Sequence, residues 1–116
     1  MISKSAIGLV LIFFLSACGK DSNSPAKTAQ GGDAQRGKAV YLANCIACHN
    51  NDPSRDGPIG PAVKGSSREL VEARVLRAAY PAGYTPKRKT AAMPPQPYLK
   101  SAVPDLVAFL GGKPKP

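Results

Sequence analysis

Cys-Ile-Ala-Cys-His, residues 45–49, says more about this chain than any other stretch of it. Cys45 and Cys48 are three residues apart and His49 lies four after Cys45, so one helical turn places all three side chains on one face. C-x-x-C-H is the pattern of c-type haem attachment, in which each thiol closes a thioether onto the porphyrin edge and the histidine binds the iron. We therefore predict that Cys45 and Cys48 hold one covalent haem c, with His49 as an axial ligand of its iron.

The same Cys spacing also occurs in zinc sites and in thioredoxin-like redox centres. A structural zinc site needs four ligands, commonly Cys or His, whereas the whole chain has three Cys and one His. A thioredoxin-like motif belongs to a strand–helix–strand unit, and no valine- or isoleucine-rich strand pattern precedes Cys45. A disulfide between the two cysteines of the motif would leave His49 without a role. The haem interpretation is favoured over these three alternatives.

Residues 1–17 have the pattern of a bacterial lipoprotein signal peptide. Lys4 supplies a positive charge, and residues 6–15 form an apolar run of ten residues, which is too short for a comfortable membrane span. The run ends at Leu15-Ser16-Ala17-Cys18, which resembles a lipobox. That resemblance implies that Cys18 is lipidated, so we expect an exported protein anchored to a bacterial membrane on its periplasmic or extracytoplasmic face. An ordinary signal peptide is the alternative.

The rest of the chain divides into a tether, one domain and a short tail. Cys18 and residues 19–32 have no large apolar side chain, so they cannot bury enough surface to offset ordering and are predicted to be a flexible tether. Residues 33–113 form the domain, and residues 114–116 are the tail. A core of about eighty residues is marginal by itself. We expect a buried haem to supply the missing apolar centre and the apoprotein to be loosely folded.

The apolar pattern predicts an all-α domain of three main helices and long loops, without a strand, repeat or hairpin. Asp33 is the expected N-cap of a first helix over residues 34–45. Four residues share its inward face: Gly37, Val40, Tyr41 and Asn44. A capping box, Ser66-Ser67-Arg68-Glu69, predicts a second helix that extends to about Ala79. Its expected inward residues are Val71, Val75 and Ala78.

The last helix is predicted from about Ala102 to Leu110. Ser101 is its expected cap, Pro104 is tolerated in the first turn, and Gly111 ends it. The apolar stripe of this helix consists of Leu106, Phe109 and Leu110.

Two proline- and glycine-rich loops, residues 50–65 and 81–100, connect these helices. A stretch of about twenty residues without secondary structure is unusual unless it has a function. Met93 in the second loop precedes two prolines, which fix the backbone beyond it, and a thioether opposite histidine raises the reduction potential of a haem. We therefore predict Met93 as the second axial ligand, with Tyr84 and residues 87–89 as weaker substitutes. The structural alternative is a methionine that fills a gap in the core.

With these motifs, the chain resembles the class I, single-haem bacterial cytochromes c over about residues 33–112. The resemblance implies the small cytochrome c fold around one covalently bound haem. It implies that Gly37 lets the terminal helix cross the first helix closely and that Tyr41 packs near Phe109. In the run Gly57-Pro58-Ile59-Gly60-Pro61, it implies that the carbonyl of Pro61 accepts the ring N–H of the axial histidine, a bond that orients such ligands.

The ligand loop departs from the family because it is unusually rich in proline, which leaves the contacts of the haem propionates open. Tyr80, Tyr84 and Arg77 are the residues considered for them. Met93-Pro94 nevertheless matches the family's ligand loop, at a suitable distance before the last helix.

The chain is strongly basic, with a formal net charge of +9. Residues Lys87-Arg88-Lys89 cluster in the ligand loop, where they would steer redox proteins with acidic docking surfaces, and this attraction would weaken as salt rises. Anionic lipid is a second expected partner, because a lipid anchor holds the domain near the membrane. Nucleic acid is not expected, because the chain is exported and has no known binding motif. The alternative is a solvated basic surface with no dedicated partner. We expect the protein to be a monomer.

The resemblance implies an electron carrier rather than an enzyme. Two protein ligands on the iron leave no position for a substrate, and the chain's one histidine is assigned to the iron. The alternatives are a haem enzyme, or a gas or peroxide sensor, with an open sixth iron position, and a haem subunit of a larger oxidoreductase.

Overall fold

A computed structural model describes residues 31–111 of the chain. Three α-helices follow one another: α1 (Ala34–Asn44), α2 (Arg68–Arg77) and α3 (Val103–Leu110). A 3₁₀ helix, Pro97–Ala102, runs directly into α3. The described range contains no β-strand, which confirms the predicted all-α class with three main helices and long loops.

Several predictions from the sequence fall outside the described range. They concern the signal peptide (1–17), the lipidated Cys18, the tether up to residue 30, and the tail (114–116). Within the range, no helix is both long and apolar enough to cross a membrane. Gly32, which was assigned to the tether, is buried, and a Cβ at this position would overlap the backbone carbonyl of Pro104. This glycine therefore packs against α3 and belongs to the domain.

The first turn of α1 is fixed to the first turn of α3 by a buried carboxylate and an ion pair. Asp33 is the N-cap, as predicted: its side chain accepts from the backbone N–H groups of Gln35 at 2.8 Å and Arg36 at 3.0 Å. The backbone N–H of Asp33 donates to Asp105 Oδ1 at 2.7 Å. Arg36 donates to both oxygens of Asp105, at 2.9 and 3.1 Å. Such bidentate contacts fix orientation as well as distance.

The crossing of α1 and α3 depends on a glycine, which has no side chain. Gly37 is buried, and a Cβ there would overlap the backbone carbonyl of Asp105 and lie 2.9 Å from the Cβ of Phe109. One turn further along α1, Tyr41 is 2% exposed and its ring centroid lies 5.4 Å from that of Phe109, at an angle of 50°. Tilted aromatic pairs at this distance are favourable. The close crossing and the Tyr41–Phe109 contact implied by the family resemblance are therefore present.

The start and end of α2 differ from the prediction. The N-cap is Ser67, whose hydroxyl accepts from the N–H of Leu70 at 3.2 Å. Ser66, the expected first residue of the capping box, instead donates through its hydroxyl to the carbonyl of Val63 at 2.6 Å. The helix ends at Arg77 because Ala78 adopts a left-handed conformation, with φ of 52°. Ala78 is thus the C-cap of α2 and not one of its inward helical residues.

The entry into α3 also differs from the prediction. Ser101 lies inside the 3₁₀ helix, and Ala102 is the N-cap of α3, without a side-chain hydrogen bond. A preceding 3₁₀ helix lets the chain enter α3 without a side-chain cap, and Pro104 in the first turn has no N–H that needs one. Gly111 ends the helix with φ of 69°, as expected. The second loop is therefore shorter than predicted, because the 3₁₀ helix includes its last residues.

The core is one cluster of apolar side chains from all four helical segments. Val71 and Val75 of α2 are buried, as predicted. Leu99 of the 3₁₀ helix and two residues of α3, Val103 and Val107, are buried as well, although the predicted stripe omitted them. Met93 and Phe109 are partly buried against this cluster. The ligand loop thus has an apolar contact with the core at Met93.

Gly37→Ala should strongly destabilise the domain, because the new methyl group meets a backbone carbonyl that cannot rotate away. We expect the free energy of unfolding of the haem-loaded protein to fall by about 2 kcal/mol or more, which is overpacking at a site that cannot relax. Urea unfolding measures the change. Lys38→Ala is the matched control on the exposed side of the same helix, and it should stay within about 0.5 kcal/mol of wild type. Equal stability of the two variants would contradict the close crossing.

Candidate haem-binding site

The C-x-x-C-H motif continues α1 by one turn. Cys45 is the C-cap, with its N–H donating to the carbonyl of Tyr41 at 2.9 Å. The N–H groups of Cys48 and His49 both donate to the carbonyl of Cys45, at 3.2 and 2.9 Å. The two thiols are free, and all three side chains line one cavity. The structure therefore brings together the three motif residues that the sequence singled out.

The ring of His49 has a defined orientation. Its Nδ1 lies 2.8 Å from the carbonyl oxygen of Pro61. Because a carbonyl oxygen only accepts, Nδ1 carries a proton in this contact, and Nε2 is the ring nitrogen left to bind another group. Within the described residues, no hydrogen bond to Nε2 is present. This is the orientation in which an imidazole can bind a metal through Nε2.

The loop before Pro61 folds around the backbone of the motif. The N–H groups of Ile59 and Gly60 donate to the carbonyl of Cys48 at 3.2 and 2.8 Å. Gly60 is buried against the imidazole, and a Cβ at this position would lie 2.6 Å from Nδ1 and 2.9 Å from Nε2 of His49. The glycine is therefore required by the position of the ring. In the sequence, Gly60 is recognisable only as part of a family motif, which does not reveal this contact.

A cavity of about 530 Å³ opens beside these residues. One wall consists of core side chains, among them Val71, Val75 and Leu106, and the ligand loop contributes Met93 and Pro94. The volume is within the range of cavities that enclose a small molecule or cofactor. Met93, the predicted second ligand, thus lines the same cavity as the motif histidine.

The chemistry of the cavity fits a covalently bound haem. Burial, followed by the nearby charge of Cys48, raises the pKa of the Cys45 thiol to about 11, so this sulfur is neutral near pH 7. Two thiols, an imidazole and a thioether beside an apolar wall suit a large apolar ligand with a metal at its centre. Residues 31–111 contain no group of three His, Cys, Asp or Glu side chains that could hold a metal ion directly. The described residues thus do not provide the zinc site considered from the sequence.

Polar groups line one part of the cavity and could meet the haem carboxylates. Arg74 lies over the ring of Tyr80, with 4.3 Å between the guanidinium carbon and the ring centroid. Tyr80 is stacked on Tyr84 at 5.4 Å, and all three residues line the cavity. Arg77, the arginine considered from the sequence, does not line it and lies instead beside a second, shallower pocket. The spacing of three residues from the cavity-lining Val71 to Arg74 would have indicated that Arg74 lines the cavity.

Tyr41 also contacts the site, which the sequence analysis did not anticipate. Its hydroxyl donates to the carbonyl of Asn50, the residue after the motif histidine, at 2.7 Å. Burial is the main reason that the pKa of this hydroxyl is raised to about 12. Tyr41 therefore connects the α1–α3 contact to the chain just beyond His49.

A histidine held by a loop carbonyl beside two thiols, in a helical domain this small, is the arrangement of a c-type cytochrome with a single haem. The family model described as "Cytochrome c" matches residues 34–112, and the chain belongs to this family. Membership implies one covalently bound haem c, and Cys45 and Cys48 are positioned as in a C-x-x-C-H motif.

Two curated relatives match part of the chain. A "Cytochrome c-553-like" protein of Synechocystis sp. is 38% identical over 55 residues, which cover 47% of this chain and 50% of that protein. "Cytochrome c-550" of Bacillus subtilis is 38% identical over 68 residues, which cover 53% of this chain and 55% of that protein. The chain thus spans about half the length of the curated relatives it matches.

Gly60→Ala should disturb the position of His49, because the new methyl group occupies space next to the imidazole. We expect the haem to stay attached through its thioethers while the fraction of low-spin iron falls, as measured by the absorption spectrum of the oxidised protein. Gly65→Ala is the matched control: its φ of +76° makes the substitution cost about 1 kcal/mol, but nothing lies within 4 Å. Identical spectra for the two variants would show that Gly60 does not position the ring.

Proposed function

We propose that this protein is a single-electron carrier, with a haem joined to Cys45 and Cys48 and axial ligands from His49 and Met93. The observation that carries the proposal is the contact of 2.8 Å between His49 Nδ1 and the Pro61 carbonyl. It leaves Nε2 as the available metal-binding atom of a residue that lines the same cavity as Met93. When bound, haem c supplies one-electron chemistry through its iron.

The role of the protein residues is to keep this ligand set unchanged during electron transfer. The Pro61 carbonyl holds the imidazole in one orientation, and Gly60 leaves room for it. Apolar side chains on one wall of the cavity exclude water from the haem face. The only histidine in the chain is assigned to the iron, so no ordinary general base near neutral pH remains for acid–base catalysis.

The proposal places the protein outside the cytoplasm, where haem is attached to such motifs in bacteria. The apolar run over residues 6–15 and the cysteine at position 18 support export followed by lipidation. A lipid anchor would confine the domain to the membrane face while leaving it free to meet donors and acceptors. We expect the carrier itself to be a monomer.

Redox proteins with acidic docking surfaces are the proposed partners. Lys87 and Arg88 line the cavity that we assign to the haem, and Lys89 beside them is exposed. Positive charge at the edge of a redox site attracts acidic surfaces over a distance of about 10 Å, so association should slow as salt rises. Anionic lipid near the anchor is the second proposed partner of this basic surface.

Met93→Leu should distinguish an electron carrier from a haem protein with an open sixth position. Leucine keeps the volume, so stability should change by less than about 1.5 kcal/mol. Loss of the thioether should convert the oxidised iron from low spin to high spin and lower the reduction potential. Absorption spectroscopy and a potentiometric titration measure the two effects. An unchanged spectrum, together with rapid carbon monoxide binding by the reduced wild-type protein, would favour an enzyme or sensor.

The intact mass of the protein purified from its native membrane tests attachment and export together. We expect a chain that begins at Cys18, with the mass of one haem and of a diacylglyceryl group added. Cys18→Ser is the control: it should keep the haem but appear in the soluble fraction. A mature wild-type chain without lipid would contradict the anchor while leaving electron transfer intact. Purification together with further subunits would instead identify the chain as part of a larger oxidoreductase.

A further inference from the structure

The loop that carries Met93 has few polar contacts with the rest of the domain. Its C-terminal end is held where the N–H of Gln96 donates to a carbonyl of α2 at 2.6 Å. Within the described chain, residues 85–95 form hydrogen bonds with other segments only through two side chains, those of Lys87 and Arg88. A loop of this length without regular structure needs such contacts to hold one conformation.

Arg88 reaches across to the loop that follows the motif. Its Nη1 donates to the carbonyl of Ile59 at 2.9 Å and its Nη2 to the carbonyl of Gly57 at 3.3 Å. The same Nη2 lies 3.3 Å from a carboxylate oxygen of Asp56. Three acceptors within four residues thus receive one planar guanidinium, whose donors have fixed directions.

The receiving segment, residues 56–62, is itself held in place by Asp56. The other carboxylate oxygen of Asp56 accepts from the N–H of Ala62 at 2.7 Å, and the carbonyl of Ala62 accepts from Lys87 at 2.8 Å. Pro61, which orients the imidazole, lies within this segment. The loop of one proposed axial ligand is therefore joined directly to the loop that positions the other.

We propose that Arg88, paired with Asp56, is a latch that keeps Met93 on the haem iron by fastening the ligand loop to residues 56–62, the segment that orients His49. Arg88 is a positioning residue: it acts through the backbone of the two loops and does not bind the iron. The proposal rests on the proposed axial ligation by His49 and Met93. It assigns two members of the basic cluster, Lys87 and Arg88, an internal role in addition to attracting partners.

The ordinary interpretation of Lys87-Arg88-Lys89 is a solvated surface. An exposed ion pair by itself contributes little to the stability of a protein. Two observations indicate that the Arg88 side chain has a structural role beyond solvation. Its side chain is 31% exposed and donates to backbone carbonyls as well as to a carboxylate. Lys89, its neighbour, forms no hydrogen bond or ion pair in the described part of the chain. The contacts are thus specific to two positions in the run.

Added imidazole tests the latch, because it binds the oxidised iron only when Met93 has left it. The apparent affinity is the intrinsic affinity multiplied by the fraction of molecules in which the site is open. We expect Arg88→Ala to increase the apparent imidazole affinity of the oxidised haem protein by about tenfold, equivalent to about 1.4 kcal/mol. Asp56→Asn should give a smaller increase, since the two carbonyl acceptors remain. Arg88→Lys should recover part of the wild-type behaviour.

Lys89→Ala is the matched control. It removes the same charge from the same loop without removing a contact, so its imidazole affinity should equal that of wild type. The Arg88→Ala substitution is also made in Met93→Leu protein, where no thioether has to be displaced. There, Arg88→Ala should have no further effect on imidazole affinity, because the two changes act on one equilibrium.

The outcomes separate the latch from the function on which it rests. If Met93→Leu binds imidazole no more tightly than wild type, Met93 is not a ligand and both proposals fail. If Met93→Leu binds it more tightly but Arg88→Ala behaves like Lys89→Ala, axial ligation stands and the latch is wrong. An equal effect of Arg88→Ala with and without Met93 would show general loosening of the fold and would also overturn the latch.

Discussion

The hydrogen bond between His49 Nδ1 and the Pro61 carbonyl is the contact on which the proposed site depends. It determines which ring nitrogen carries a proton, and so which one can bind a metal. The bond forms because the segment around Gly60 folds back onto the carbonyl of Cys48. The same segment also contains the carbonyls that Arg88 contacts. The same few residues therefore orient the imidazole and accept the hydrogen bonds that attach the ligand loop.

The core and the proposed haem site share the same side chains, which follows from the small size of the domain. Tyr41, Val71 and Leu106 belong to the buried cluster and also line the cavity. A domain this small buries limited apolar surface through its own side chains. A bound haem would extend the cluster on the side where the cavity now exposes it. The close α1–α3 crossing at Gly37 belongs to the most extensive contact between helices in residues 31–111.

Local patterns predicted the parts of this structure that depend on short-range chemistry. Asp33 caps α1 and Gly111 ends α3, because a cap needs only neighbouring residues. The exact start of α2 was missed, since Ser66 and Ser67 are equivalent in sequence and the contact of Ser66 with Val63 decides between them. The 3₁₀ helix was missed because it owes its position to Leu99, which is buried in the tertiary core. Boundaries set by packing are not visible in a local pattern.

The motif residues could be found from their spacing and Pro61 from the family resemblance, whereas the side chains that join the two loops could not be found from sequence. C-x-x-C-H has a fixed spacing that reflects one helical turn, but the partners of Arg88 lie about thirty residues away in the chain. Residues 87–89 carry the same charge and cannot be distinguished by it. In the structure, Lys87 and Arg88 donate to backbone carbonyls of the preceding loop.

An electron carrier benefits when its ligands move little between oxidation states, because each rearrangement adds to the barrier for transfer. A helix would provide this rigidity through its own backbone hydrogen bonds, but the prolines around Met93 prevent a helix there. Such a loop has to obtain its rigidity from contacts with other segments. Side chains that cross to carbonyls of a second loop, as those of Lys87 and Arg88 do, meet that need. In the proposed carrier, Lys87 and Arg88 would support the ligand loop mechanically as well as attract acidic partners.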